Sequence, residues 1–323
     1  MNMTLTTVGR RMTVIDTLIR YRTIVILVLL IATFTILNSI FIYPTNLLNM
    51  LKRMSFVAIT AFGMTFVITL GGLDLSIGGT AAIVGVAFAI MLGAGVPVVA
   101  GLVLCLCIAV ALGAINGVII VKGRIEPFLV TLATMNIFRG IALVLTGGRP
   151  VPIVSAMFIN VFGNGFLFRV IPIPVLITAF FFTLSLLLYK KTKFGFYVRA
   201  IGGNIEAARV AGINISSVKF LTYIINGVFA FFAGLILAAL MSSGLPNIAT
   251  DLPLDAISAV ILGGTAIAGG FGNVLGTLGG ALIMATLNSG MSLLGAQYPV
   301  QIFVKGVVII FAVLLDNAVR PRN

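Results

Sequence analysis

The chain alternates between long apolar runs and short polar interruptions. The runs cover residues 24–42, 54–71, 76–94, 96–121, 128–146, 173–189, 220–241, 254–268, 274–294 and 300–315. Most approach the roughly 18–25 residues that an α-helix needs to cross a hydrocarbon core. They are apolar around the whole helical circumference, whereas a soluble helix carries a single apolar stripe. With hydrocarbon as solvent, each run must satisfy its own backbone hydrogen bonds, and a helix does so. The pattern predicts an all-α integral membrane protein of about ten transmembrane helices. The whole of 1–323 reads as a single transmembrane domain.

Charge sets the orientation. The chain is 60% hydrophobic and 8% charged, with a mean hydropathy of +1.25 and a formal charge of +13. Lys and Arg collect on the cytoplasmic side of membrane proteins. A cytoplasmic N-terminal segment (1–22) places Arg10, Arg11, Arg20 and Arg22 inside. The same alternation puts Lys122, Arg124, Lys190, Lys191, Lys193, Arg199, Arg209, Lys219, Arg320 and Arg322 inside, which makes 14 of the 20 basic residues. The outer loops keep Lys52, Arg53, Arg149 and Arg169, and both termini fall in the cytoplasm. The basic residues are spread over several loops rather than gathered on one face, so no nucleic-acid partner is expected. Tyr21, Tyr43 and Tyr189 mark span edges in a chain without Trp, as expected where helices meet the lipid headgroups.

The runs group as one plus four, then one plus four. The quartets 54–146 and 220–315 start from opposite sides, the arrangement of an inverted repeat. Each carries a glycine-interrupted stretch, near 71–79 and near 263–272. Residues 151–169 mix apolar patches with Pro, Asn, Gly and Ser and read as an outer loop with a short interfacial helix.

The composition argues against catalysis. No His is present, which removes the commonest general base and metal ligand, and only seven acidic residues occur. There is no Gly-x4-Gly-Lys-Ser/Thr phosphate loop, and the glycine-rich 263–270 stretch lacks a Lys and lies in an apolar run, where glycine pairs serve helix packing or a break. Cys105 and Cys107, two apart on one helix, do not face each other and read as small packing residues. Transport is the default for such a chain, and no cofactor or metal is expected on it.

The longest charged stretch between runs, 190–219, reads at 202–213 as turn, short helix, turn. Asn204 can cap the helix, Glu206 suits its positive N-terminal end and Gly212 its C-terminal end. Such a capped helix held between two spans suits a lever for a cytoplasmic partner; the alternative is a solvated connection.

Glu206-Ala207-Ala208, then Gly212 after three residues, resembles the EAA signature of permease subunits in ATP-binding-cassette importers. The wider stretch, with Gly202-Gly203-Asn204 before it and Ala211-Gly212-Ile213 after, is similar to the version in ribose, xylose, arabinose, galactose and allose permeases. So are Gly63-Met64-Thr65 through Gly72-Leu73-Asp74-Leu75-Ser76-Ile77-Gly78, and Leu254-Asp255-Ala256-Ile257 through Leu262-Gly263-Gly264-Thr265 and Gly269-Gly270. The resemblance runs in matching order from about residue 46 to 316; the Ile-x-Leu-Pro tail of many other importers is missing. It implies a bacterial inner-membrane permease working as a dimer, here a homodimer, in membrane lipid. A cytoplasmic ATPase would use ATP and Mg, and a periplasmic binding protein would deliver a monosaccharide, with the 151–169 loop within its reach. It also implies that Gly202, Gly203, Asn204, Glu206, Ala207, Ala208 and Gly212 couple to the ATPase, the small Ala pair seating in a groove and Glu206 capping the helix or pairing with a basic group.

Charged and polar residues in or at the ends of the runs form the second candidate set, with Asp74 at a span end after Gly71-Gly72, Asp255 starting another span, and Arg139 and Lys305 inside spans. Asp74, Asp255, Arg139 and Lys305 must pair, snorkel or line water, because a charge near the bilayer centre costs about 2.5–3.5 kcal/mol on insertion scales. Asp255 with Arg139 or Lys305 is the pair expected, since all three lie toward the outer side. Ser76, Asn116, Asn136, Thr265 and Asn288 are further candidates for a polar path; Ser, Thr and Asn in membrane helices also serve to join helices. Thr131, Thr134, Asn226 and Thr286 share that ambiguity. The competing reading is a secondary carrier driven by an ion gradient, which the few buried acids disfavour.

Overall fold

The structure, a computed structural model, describes residues 22–319. The expected N-terminal segment before Arg22, and Arg320 and Arg322, lie outside the described residues. The helices are α1 (Arg22–Leu37), α2 (Pro44–Thr69), α3 (Ile77–Gly93), α4 (Val98–Gly123), α5 (Pro127–Thr146), α6 (Ala156–Ile159), α7 (Ile173–Lys191), α8 (Lys193–Gly203), α9 (Ile205–Val210), α10 (Ile215–Leu240), α11 (Leu252–Leu262), α12 (Val274–Leu293) and α13 (Tyr298–Val319). Four two-residue strands interrupt them: β1 (Val151–Pro152), β2 (Phe166–Leu167), β3 (Ile171–Pro172) and β4 (Ser243–Gly244). Prolines open α2, α5 and α11, where a missing N–H leaves no intrahelical bond unmade.

Among the described residues, six helices, α2, α4, α5, α7, α10 and α12, are long and apolar enough to cross a membrane, and the apolar stretches of α1, α3, α11 and α13 are shorter. The run expected over 254–268 is the clearest departure. Its helix stops at Leu262 after 11 residues, and Gly263 to Asn273 continue as turns. A second correction concerns Lys52 and Arg53, expected in an outer loop. They lie inside α2, which begins ten residues earlier than the apolar run. Lys52 is buried, with its ammonium 4.5 Å from the centre of the Phe166 ring, so the ring face compensates the charge.

The core forms around α2 and α10, each 26 residues long. The two pack on each other; α2 also packs on α7, α11 and α12, and α10 on α3 and α4. Small residues let these backbones approach closely. Gly113 on α4 faces the Tyr223 carbonyl of α10, Gly227 on α10 faces the Ala109 carbonyl of α4, and Gly234 faces Ala81 of α3. Phe181, Phe229 and Phe232 fill the space between α7 and α10 with ring centres 4.5–5.1 Å apart. Cys105 is buried and Cys107 exposed, and both are free.

Residues 151–169 form no spanning helix, in line with expectation. Unforeseen is how they are held: β1 pairs antiparallel with β4, matching Val151 to Gly244, and β2 pairs with β3. At the opposite, basic end of the molecule, Arg124, Arg209 and Lys219 line a groove of about 800 Å³ between the α4–α5 turn and the start of α10.

Candidate functional site

Two loops fold back into the helix bundle and meet there. The first follows α2. From Thr69 the chain passes Gly72, tight against the Tyr223 hydroxyl, and reaches Asp74. One carboxylate oxygen of Asp74 accepts the Ser76 amide (2.9 Å) and the Ser76 hydroxyl (2.6 Å). The other accepts the side-chain amide of Asn226 (2.8 Å). Asn116 donates in turn to the Ser76 hydroxyl oxygen (2.7 Å). Asn226 lies eleven residues into α10, about 16 Å along its axis, so the loop climbs well back along that helix before α3 begins. All four side chains are buried. Asp74 thus lies not at the surface end of a span but inside the bundle, where it joins the α2–α3 loop to α4 and α10.

The second loop follows α10. Gly244 sits against Gly85 and Val86 of α3, and Ala249 against Gly78, near the start of α3. Between them the loop travels seven residues back along α3, about 10 Å. A Cβ at Gly78 would lie 2.5 Å from the Ala249 carbonyl oxygen and 3.1 Å from the Pro253 ring, so the absent side chain lets the two loops touch. The helices that leave them begin with similar residues, Asp74-Leu75-Ser76-Ile77 leading into α3 and Asp251-Leu252-Pro253-Leu254 opening α11, with Asp251 as its N-cap. Arg139 of α5 closes the junction from the side, its Nε donating to Asn247 (3.1 Å). Arg139 is half-buried and does not meet Asp255. Asn136, one turn earlier on α5, is exposed and returns its amide to the Leu132 carbonyl.

Asp255 pairs with the other expected partner. The Lys305 ammonium lies 3.0 and 3.1 Å from its two carboxylate oxygens, with side chains 14% and 9% exposed for Lys and Asp. The Tyr298 hydroxyl donates to Asp251 (2.8 Å), so two contacts tie α13 to α11. Asn288 of α12 is half-buried beside this pair. Thr265 is buried and accepts the Asn273 amide (3.0 Å), bracing the α11–α12 loop.

At the basic end, the expected short helix and the turn after it are present as α9 and Ala211-Gly212, and only the first turn differs. Gly202 and Gly203 close α8 rather than forming a free turn. Asn204 caps α9, its side-chain oxygen accepting the Ala207 amide (2.9 Å). Gly212, at φ +77°, ends the helix in the left-handed conformation, and the Ile213 amide returns to the Ala208 carbonyl (3.1 Å). Glu206 pairs with Arg209 on the same exposed face. Ala208 is buried against the chain's own Leu70, Val198, Ile201 and Val218, so the two alanines do not seat together in an outside groove. Ala207 is exposed, as is Val210 at 90%.

Of the expected path residues, Asp74, Ser76 and Asn116 come together, and so do Asp255, Asn288 and Lys305. Arg139 and Asn136 share a third region, and Thr265 stands apart. Asn226, the partner of Asp74, was among the polar residues weighed for path or packing, whereas Asn247, the partner of Arg139, was not. The repeated Asp-Leu-x-Ile/Leu at the start of two broken helices is a sequence signal that points to both loops.

A family profile described as "Branched-chain amino acid transport system / permease component" matches residues 46–313. The chain belongs to this permease family. The permease is 43% identical over 292 residues to the ribose import permease protein RbsC of Bacillus subtilis, covering 90% of each chain. It is 40% identical over 316 residues to RbsC of Escherichia coli K12, covering 97% of this chain and 98% of the relative. The xylose transport system permease protein XylH of Haemophilus influenzae is 31% identical, over 88% of this chain and 92% of the relative. No solved structure matches the chain. The permease is a multi-pass membrane transport subunit rather than an enzyme.

Proposed function

We propose that the permease is the membrane-spanning subunit of an ATP-binding-cassette importer in the bacterial inner membrane and passes a monosaccharide delivered by a periplasmic binding protein. The observation that carries this reading is the near-full-length similarity to ribose import permeases. A separate cytoplasmic ATPase using ATP and Mg supplies the energy. The basic end is cytoplasmic, as its Lys and Arg content argues, and both termini lie on that side. Ten spans then cross the membrane, with α3 and α11 shortened because their first residues are drawn into re-entrant loops.

The packing supports an inverted repeat. The long helix of each half packs on the broken helix of the other, α2 on α11 and α10 on α3. In this pairing the counterpart of the Asp74 loop is the Asp251 loop, and the break at 263–272 is a separate feature. Broken helices that meet within the bilayer are where transporters place their solute path. The path runs along the face where the two loops meet α5. Asn136, Arg139, Asn247 and Thr250 leave polar groups open there, at a depth where lipid would penalise them. A second copy of the permease covers this face, and the sugar passes between the copies. The Asp74 and Asp255 clusters, whose carboxylates are met by Ser76, Asn226 and Lys305, hold the helices that shape that path.

The ATPase contacts α9 through Glu206, Ala207 and the exposed Val210, while Asn204, Ala208 and Gly212 keep that helix folded. Reconstitution in liposomes tests the whole. With ATPase, binding protein and internal ATP, labelled pentose enters; omission of any of the three stops it. Uptake by the permease alone on an ion gradient would establish the secondary carrier instead.

A further inference from the structure

Three glycine-bearing segments that are remote in sequence meet backbone to backbone beneath the bundle. They are the end of α2 with Gly71, the end of α8 with Gly202 and Gly203, and the α11–α12 loop with Gly269 and Gly270. The Gly270 amide donates to the Thr69 carbonyl (2.8 Å), which binds the α11–α12 loop to α2. Gly202 lies over that same bond. A Cβ there would fall on the Thr69 carbonyl oxygen and 2.6 Å from the Gly270 amide nitrogen. From the other side, a Cβ on Gly269 would meet the Gly202 carbonyl oxygen at 2.9 Å and Gly71 at 3.2 Å, and one on Gly270 would meet Gly203 at 2.8 Å. Gly269 and Gly270 also hold φ near +88° and +79°, which side-chain-bearing residues rarely adopt. One residue beyond Gly203, Asn204 begins α9, the proposed ATPase contact. At Gly202 the contact with Thr69 and Gly270 is backbone against backbone.

We infer that Gly202, Thr69 and Gly270 form the positioning joint of the coupling cycle: through it, displacement of α9 moves the inner ends of α2 and of the α11–α12 loop together. This rests on the importer reading above and adds which residues carry the motion. A packed contact without side-chain freedom transmits a small displacement rather than absorbing it. The joint touches both halves of the proposed repeat, so one lever acts on both.

The test compares Gly202→Ala with Gly93→Ala, a control at the open end of α3 where an added Cβ meets nothing within 4 Å. Each is reconstituted with ATPase and binding protein, and ATP hydrolysed per sugar imported is measured. The complexes are isolated with the ATPase bound and at equal thermal midpoint before assay, which removes misfolded permease and free ATPase, so that a changed ratio reports a disturbed joint. Gly202→Ala should raise it about tenfold, as one methyl forced against rigid backbone warrants, while Gly93→Ala keeps the parent value. A parent-like ratio in Gly202→Ala overturns the joint and leaves the importer reading standing; gradient-driven uptake by the permease alone overturns that reading itself. Should Gly202→Ala fail to assemble, hydrogen exchange on the parent complex decides. Trapping the ATPase with vanadate should change exchange at 69–72 and 268–272 along with α9, and unchanged exchange at those two segments overturns the inference.

Discussion

Replacing Lys305 by Met strands Asp255, a carboxylate that is 9% exposed in the side chain and whose two oxygens both face the lost ammonium at 3.0 and 3.1 Å. Removing one partner of a buried pair costs about 3–5 kcal/mol because the other is left uncompensated. Lys305 lies seven residues from the start of α13, about 10 Å along the axis. Water therefore reaches it more readily than the bundle centre, and the lower end, about 3 kcal/mol, applies. Asp255→Leu alone should cost a similar amount. The double variant removes both charges and substitutes apolar groups of comparable volume, a change that is near neutral for many buried pairs. The resulting coupling energy is about 6 kcal/mol, the two single costs less that of the double variant, or more than about ten-thousandfold in the unfolding equilibrium. Unfolding of the four proteins in lipid nanodiscs by a denaturant series measures it directly. Costs that add within about 0.5 kcal/mol would show that the pair does not interact and refute the reasoning. Exchanging the charges, Asp255→Lys with Lys305→Asp, should likewise restore folding that either change alone removes.

Asn204→Ala removes the cap of α9 and should destabilise that helix by about 1 kcal/mol, read as faster amide exchange at 205–210 with the spans unaffected. Val210→Asp places a charge on the most exposed apolar side chain of α9 and should reduce retention of the ATPase on the purified permease without changing its thermal midpoint; unchanged retention removes Val210 from the interface. Asn116→Leu leaves the Ser76 hydroxyl oxygen without its buried donor, and an orphaned buried polar group costs about 1–3 kcal/mol, measured as a lower midpoint in the same nanodisc series. Arg139→Met should leave that midpoint within about 1 kcal/mol, since its bond to Asn247 is open to solvent, yet slow sugar uptake; an unchanged rate excludes Arg139 from the path.

The apolar runs revealed the helices because, in a bilayer, hydrophobicity without periodicity already specifies one. They could not show where α11 stops. Gly263 and Gly264 sit in apolar sequence, and only the approach of α12, which a Cβ at Gly263 would strike at Gly276, explains the break there. Asp255 and Lys305 were legible as a pair because charges inside apolar runs have few alternatives. Asp74 was legible as important but misplaced, since a loop that re-enters a bundle has the composition of one that leaves it. Gly202 and Gly203 looked like a turn for the same kind of reason. Glycine serves both flexible turns and close packing, and the choice between them depends on Thr69 and Gly270, which are far away in sequence. The caps at Asn204 and Gly212 depend only on neighbours within a few residues, and the structure bears them out.

The proposed drive from the basic face, through α9, by an ATPase in the cytoplasm has a direct test. A single cysteine at Val210, in a chain with Cys105 and Cys107 replaced by Ala, tests it with a membrane-impermeant maleimide. The account predicts labelling in inside-out vesicles, none in right-side-out vesicles, and protection when the ATPase is bound. Labelling from the outside, or labelling that the bound ATPase leaves unchanged, would contradict it.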